Sequence, residues 1–250
     1  MSDSQPAVVA RLRGSRNPGE RVDKFAERRA ELGEAALTTL ATLGYARTSL
    51  REIAQNSEFS HGVLHYYFRD KVDLIVCSVR QYKARCVTRY DQTTIEAASF
   101  GELLEGFQAA LGKTLVDEAS LHRLWYDLRA QALFEPVFRE DVEAIDASLE
   151  QMVWRVIRRF GELAGQPVDV ESTVAYSMFD GLFQRALLRH LSGDAEAVRD
   201  MLAEVRQAVG LLFPGQVEAP APDGDRQAAP ASMAGEAPVA NEASVAGEAP

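Results

Sequence analysis

Residues 48–71 read TSLREIAQNSEFSHGVLHYYFRDK, and three helix starts fall inside these 24 residues. Ser49-Leu50-Arg51-Glu52 has the spacing of a capping box, in which the Ser hydroxyl and the Glu side chain satisfy free N–H groups at a helix start. Leu50, Ile53 and Ala54 give that helix one apolar stripe, and the stripe fades by Asn56. Ser60 is placed to cap a second short helix of about 60–67. Asp70 is placed to cap a third, along which Val72, Ile75, Val76 and Val79 keep the helical period. Two short helices joined by a tight turn and followed by a longer one predict a helix-turn-helix unit.

Working outward, Ala30, Leu37, Leu40 and Ala41 mark one face of a preceding helix, about 23–43. Gly44 follows where a left-handed residue closes a helix. On the carboxyl side, apolar residues recur at three- and four-residue spacing, and strand-like alternation is scarce. The pattern predicts helices at about 100–115, 119–134, 136–164, 168–191 and 194–213. Breaks fall at Glu135-Pro136, Gly165-Gln166-Pro167 and Ser192-Gly193-Asp194. The expected fold is all-α: a helix-turn-helix head on a helical body, about nine helices in all.

Charge divides the chain. It carries 27 Lys+Arg against 37 Asp+Glu, a net charge of −10. Residues 1–71 hold 11 basic and 9 acidic residues, a net of +2, so the rest carries −12. A basic head on an acidic body suits local binding of a polyanion and argues against a nucleic-acid coat protein. The expected domains are a disordered basic arm at 1–21, the head at 22–71, a ligand-binding and dimerisation body at 72–214, and a disordered tail at 215–250. The tail has 11 Ala, 5 Pro and six acids against one Arg, and it repeats Ala-Gly-Glu-Ala-Pro.

Several function classes are excluded at this level. Two cysteines, Cys77 and Cys86, cannot build a disulfide scaffold or a cysteine zinc site. No apolar run is long enough for a membrane span, and no apolar stretch follows the N-terminal arginines to make a secretory leader, so a cytoplasmic setting is expected. No phosphate loop, zinc-protease helix or nucleophile elbow appears, so an enzyme is not expected. His61 and His65 have a spacing that metals use, but no acidic or Cys third ligand stands beside them, so neither metal nor cofactor is expected.

A recognition helix must present small or polar side chains from its N-terminal half to base edges. The helix from Ser60 offers His61, Gly62, Val63 and His65, while Tyr66, Tyr67, Thr48 and Lys71 are suited to phosphate. The pattern 48–54, 59–71 and Leu74, with Gly44-Tyr45 before it, resembles the DNA-binding head of the TetR family of bacterial one-component regulators. By that resemblance Thr48, His61, Gly62, Val63, His65, Tyr67 and Lys71 contact DNA. The last two helices, about 168–191 and 194–213, pair with their mates in a homodimer, and a small-molecule effector acts on a palindromic operator complex. Three positions depart from the family pattern: Glu58 replaces the usual turn Gly, His65 the Tyr of a Leu-Tyr pair, and Tyr67 the His before the Phe. They leave the operator sequence open.

The body is rich in large side chains with polar groups among them. Tyr82, Cys86, Phe107, Trp125, Tyr126, Arg129 and Phe183 are the expected ligand contacts. Trp125 and Arg129 share a helix face, which suits an aromatic ligand or one with an anionic group. An aromatic cage for a quaternary ammonium is the competing expectation. The alternative to an effector-controlled regulator is a DNA-binding adaptor that responds to a protein partner and has no small-molecule pocket.

Overall fold

A computed structural model describes residues 18–217, with side chains from Lys24 onward. Ten α-helices occur among the described residues: α1 Pro18–Leu43, α2 Leu50–Gln55, α3 His61–Tyr67, α4 Lys71–Cys86, α5 Asp91–Glu96, α6 Phe100–Asp117, α7 Ala119–Ala132, α8 Arg139–Ala164, α9 Ser172–Leu191 and α10 Ala197–Leu212. A single 3-10 turn, Pro136–Phe138, precedes α8, and no strand is present among these residues. Residues 1–17 and 218–250, with most of the expected arm and tail, lie outside the described residues.

Local chemistry sets the helix ends. Ser49 Oγ accepts from Glu52 N at 3.2 Å, Ser60 Oγ from Val63 N at 3.3 Å, and Asp70 Oδ1 from Asp73 N at 2.9 Å. All three caps stand where the sequence puts them. Gly44 closes α1 in the left-handed region (φ 73°), with its N–H on Leu40 O at 2.8 Å. Gly165 closes α8 at φ 63°, with Gly165 N on Glu162 O and Gln166 N on Gly161 O, the paired bonds of a Schellman end. A Cβ at Gly165 would meet nothing within 4 Å. Gly165→Ala therefore costs only the left-handed backbone penalty, about 1 kcal/mol, readable as a lower urea midpoint.

Four boundaries differ from the sequence reading. α1 begins at Pro18, inside the expected arm. α8 is preceded by a 3-10 turn at Pro136, and α9 and α10 begin about three or four residues late. α5 was not expected: its sequence DQTTIE has no buried residue and no capping side chain. It is held from outside by α8, where Arg155 Nε donates to Asp91 Oδ1 at 3.0 Å and Arg159 donates to Ala97 O at 3.0 Å.

Head and body share one apolar core. Leu32, Leu40, Ile53, Leu64, Phe68, Leu74 and Ile75 fill the head between α1 and α4. α4 runs without a break from the head into the body, and Arg29 of α1 pairs with Asp73 of α4 beneath the Phe68 ring. At the far end Phe100, Phe160 and Phe213 stack with ring centroids 4.8–6.0 Å apart. On α10, Met201, Val205, Ala208 and Val209 are buried within the chain, so that stripe belongs to the core. On α9, Val174, Leu188 and Leu191 are exposed. No described helix is long and apolar enough to cross a membrane.

Candidate functional site

α3 is seven residues long, and its period sorts its side chains cleanly. Leu64 and the following Phe68 are buried. His61, Gly62, His65 and Tyr66 are exposed, and Val63 and Tyr67 are half-buried. His61 and His65 meet through their Nε2 atoms at 3.1 Å, one ring edge-on to the other. Such a bond needs one ring to donate and the other to accept. Tyr66, 72% exposed, and Tyr67 flank Phe25 of α1, with Tyr67 stacked on it at 4.9 Å. Ser60 is occupied as the cap. The exposed set, small at Gly62 and polar around it, suits close approach to a groove.

Two sequence-predicted contacts have partners within the head. Thr48 is 3% exposed, and its hydroxyl donates to Gly44 O at 2.6 Å. It staples the loop after α1 and does not face outward. Lys71 Nζ donates to Tyr45 O at 3.3 Å and lies 4.1 Å from the centre of the Tyr45 ring. Arg47, Arg51 and Arg69 are exposed cations of the head that the motif reading did not single out.

The loop that Thr48 and Lys71 organise is also gripped by α7. Arg123 donates to Ala41 O at 2.6 Å, and Asp127 Oδ2 accepts from Tyr45 N at 2.8 Å. Just beyond α7, the Glu135 carboxylate accepts from the Tyr45 hydroxyl at 3.0 Å. Other side chains of the same helix, His122, Trp125 and Tyr126, line a cavity in the body. One helix thus touches both the end of α1 and the cavity.

The cavity is about 70 Å³ in volume, between α4, α6, α7, α8 and α9. Four of the seven expected ligand contacts line it: Phe107, Trp125, Tyr126 and Phe183. Three do not. The Tyr82 hydroxyl is committed to Glu118 at 2.7 Å, and Cys86 is buried and does not border the cavity. Arg129 is held by Asp180 at 2.5 Å and Asp146 at 3.2 Å, so its charge is already neutralised. The expected anion receiver on α7 is therefore a strut between α7, α8 and α9.

Residues that sequence reasoning missed supply the polar lining: Lys83, Tyr90, Thr114, His122, Tyr176 and Asp180. Lys83 and His122 sit on apolar stripes, Lys83 between Val79 and Cys86, and that misplacement of charge was the available signal. Burial pushes the Lys83 ammonium down to about 8 and the Tyr90 phenol up to about 12. His122 lies well below its usual value of 6.5, through burial first and the Lys83 and Arg89 charges second. Native His122 therefore refuses the proton that the unfolded chain accepts, so stability falls as pH drops through and below 6.5. Imidazole NMR signals of His122 are expected to remain those of the neutral ring at pH 6.

Cys86, Glu118 and His122 bring donor atoms within 4.8 Å of one another, a potential metal set. The Glu118 carboxylate is already bound by Arg89 and Tyr82, and Lys83 Nζ stands 3.3 Å from His122 Nδ1. These cations oppose a divalent ion, so the residues do not fit one.

Comparison with known proteins follows the same division. Residues 32–76 match the family described as bacterial regulatory proteins, tetR family, and residues 102–210 match the BetI-type transcriptional repressor, C-terminal. The HTH-type transcriptional regulator BetI of Cronobacter sakazakii is 24% identical over 195 residues, 76% of this chain and 95% of that protein. A putative transcriptional regulator from Pseudomonas aeruginosa PAO1 superposes with TM-score 0.61 at 18% identity, over 82% of this chain and 96% of that one. A putative regulator from Saccharomonospora viridis in complex with choline superposes with TM-score 0.60 at 18% identity, over 78% and 100%.

Proposed function

Because this chain belongs to the TetR family of bacterial regulatory proteins, we propose that it is a repressor that binds a palindromic operator as a homodimer and is released by a small hydrophobic or aromatic effector. The observation that carries this reading is α7, which lines the cavity with His122, Trp125 and Tyr126 and holds the end of α1 through Arg123 and Asp127. A ligand that moves α7 or α4 moves the head with it.

The DNA-reading face is α3, with His61, Gly62, Val63 and His65 toward base edges and Tyr66 and Tyr67 toward phosphate. One short helix carries little specificity. Two heads on one two-fold axis double the contacts and demand a dimer. The exposed Val174, Leu188 and Leu191 of α9, with Gly181 between them on an open face, and the exposed Leu211 of α10 support a dimer through the last two helices. The setting is the bacterial cytoplasm, where the operator is.

The cavity is small. An apolar cavity that takes benzene is about 150 Å³, and this one is about 70 Å³. An effector must push its walls apart, and that is how binding favours a second state. The shift can be no larger than the effector's differential affinity for the two states. A second reading, an adaptor for a protein partner, is favoured by the exposed Leu133, Phe134 and Val137 between α7 and α8.

Titration of a labelled palindromic duplex, with sedimentation of the complex, tests the reading. Two protomers per duplex and a steep fall of affinity with salt are expected. One protomer per duplex, or equal affinity for a scrambled duplex, contradicts it.

A further inference from the structure

We propose that the effector is a compact apolar monocarboxylate, its carboxylate received by Lys83, His122 and Trp125; this rests on the reading of the cavity as an effector site. The cavity's acceptors are already satisfied. Asp180 accepts from Tyr126 at 2.9 Å and Arg129 at 2.5 Å, and beside it the Tyr176 hydroxyl donates to Asp146 at 2.5 Å. Its donors are not. The Trp125 Nε1 and His122 Nε2 atoms are buried without a hydrogen-bond partner. Among the described residues Lys83, 3% exposed, makes no ion pair within 4.0 Å. Its Nζ meets only His122 Nδ1 at 3.3 Å and the faces of Tyr82 and Trp125, each 5.2 Å away. An ammonium has no lone pair, so Nδ1 accepts and the ring proton stands on Nε2. Lys83 keeps two N–H donors without an acceptor, the His122 Nε2 and Trp125 Nε1 donors have none, and all three residues line one cavity.

A buried charge with no partner is costly, and a carboxylate brought by a ligand removes that cost. Phe107, Leu111, Leu149, Met152, Phe179 and Phe183 also line the cavity, and that part of the wall takes hydrocarbon. A quaternary ammonium has the opposite sign. Nothing in the cavity offers it an unpaired carboxylate, and the Lys83 ammonium repels it.

Ionisable groups surround Lys83 on every side. They are Tyr82, Cys86 and Arg89 on and after α4, Tyr90 before α5, Glu118 between α6 and α7, His122 and Tyr126 on α7, Asp146 on α8, and Tyr176 and Asp180 on α9. Burial outweighs them all and holds the ammonium at about 8. Carboxylate affinity should therefore fall as pH passes through 8. By pH 9 only about a tenth of Lys83 sites remain charged, so the loss is about tenfold.

The test is a matched panel: propionate, butyrate, benzoate and phenylacetate, the four corresponding primary amides, and choline. Binding is read by Trp fluorescence and Tm at pH 7 and pH 9, and duplex release by anisotropy. At least one acid should bind at least tenfold more tightly than its amide at pH 7, with that preference reduced about tenfold at pH 9. Lys83→Met should raise Tm without probe by a few degrees and abolish the acid preference. A lysine needed only for the fold would lower Tm instead when replaced. Amides binding as well as acids, choline raising Tm, or no probe binding overturns the proposal, as does undiminished acid preference in Lys83→Met. Duplex release by an amide or choline would sink the anion site and keep the effector reading. Acid-selective binding that leaves the duplex bound would do the reverse.

Discussion

Replacing Gly62 by Glu is expected to lower affinity for a palindromic duplex at least about 100-fold, roughly 2.7 kcal/mol, while leaving the fold intact. Gly62 is exposed in the first turn of α3, and a Cβ there would meet nothing closer than Ser60 Oγ at 4.0 Å. The helix loses nothing: Glu is a better helix former than Gly by up to about 1 kcal/mol, and an acid in the first turn suits the helix dipole. The groove loses much. The added carboxylate faces phosphates and base acceptors, its bulk holds the backbone away, and a dimer suffers this twice. Circular dichroism should match wild type and anisotropy should show the loss. Unchanged affinity would remove α3 as the reading helix.

The second large effect is on assembly. Leu188→Lys is expected to weaken the dimer at least about 100-fold and, with it, operator affinity. Leu188 is 69% exposed in the protomer, so the substitution leaves the protomer core untouched. In a two-fold interface each dimer would bury two new ammonium groups without partners, at a cost of several kcal/mol. Sedimentation velocity at micromolar concentration should give the monomer mass. A dimer of wild-type stability would move the interface off α9.

Local chemistry was legible and long-range pairing was not. The caps Ser49, Ser60 and Asp70 and the helix ends at Gly44 and Gly165 rest on bonds within a few residues, so the sequence displays them. α5 is hidden because its support is Arg155, 64 residues away. Arg129 looked like a ligand contact because its partners, Asp180 and Asp146, lie 51 and 17 residues along the chain. Thr48 looked like a phosphate contact because only the folded loop turns its hydroxyl onto Gly44 O. Lys83 and His122 were passed over because charged side chains are assumed to face water. Their burial puts polar groups into a largely apolar cavity wall.

The measurement that bears most directly on the central claim is selection of bound duplexes from a random-sequence pool at a stated salt concentration, followed by sequencing. The account predicts an enriched palindrome whose half-sites lie about one helical turn apart, lost in Gly62→Glu. Salt-sensitive binding with no enriched sequence would contradict it, leaving a basic head without an operator.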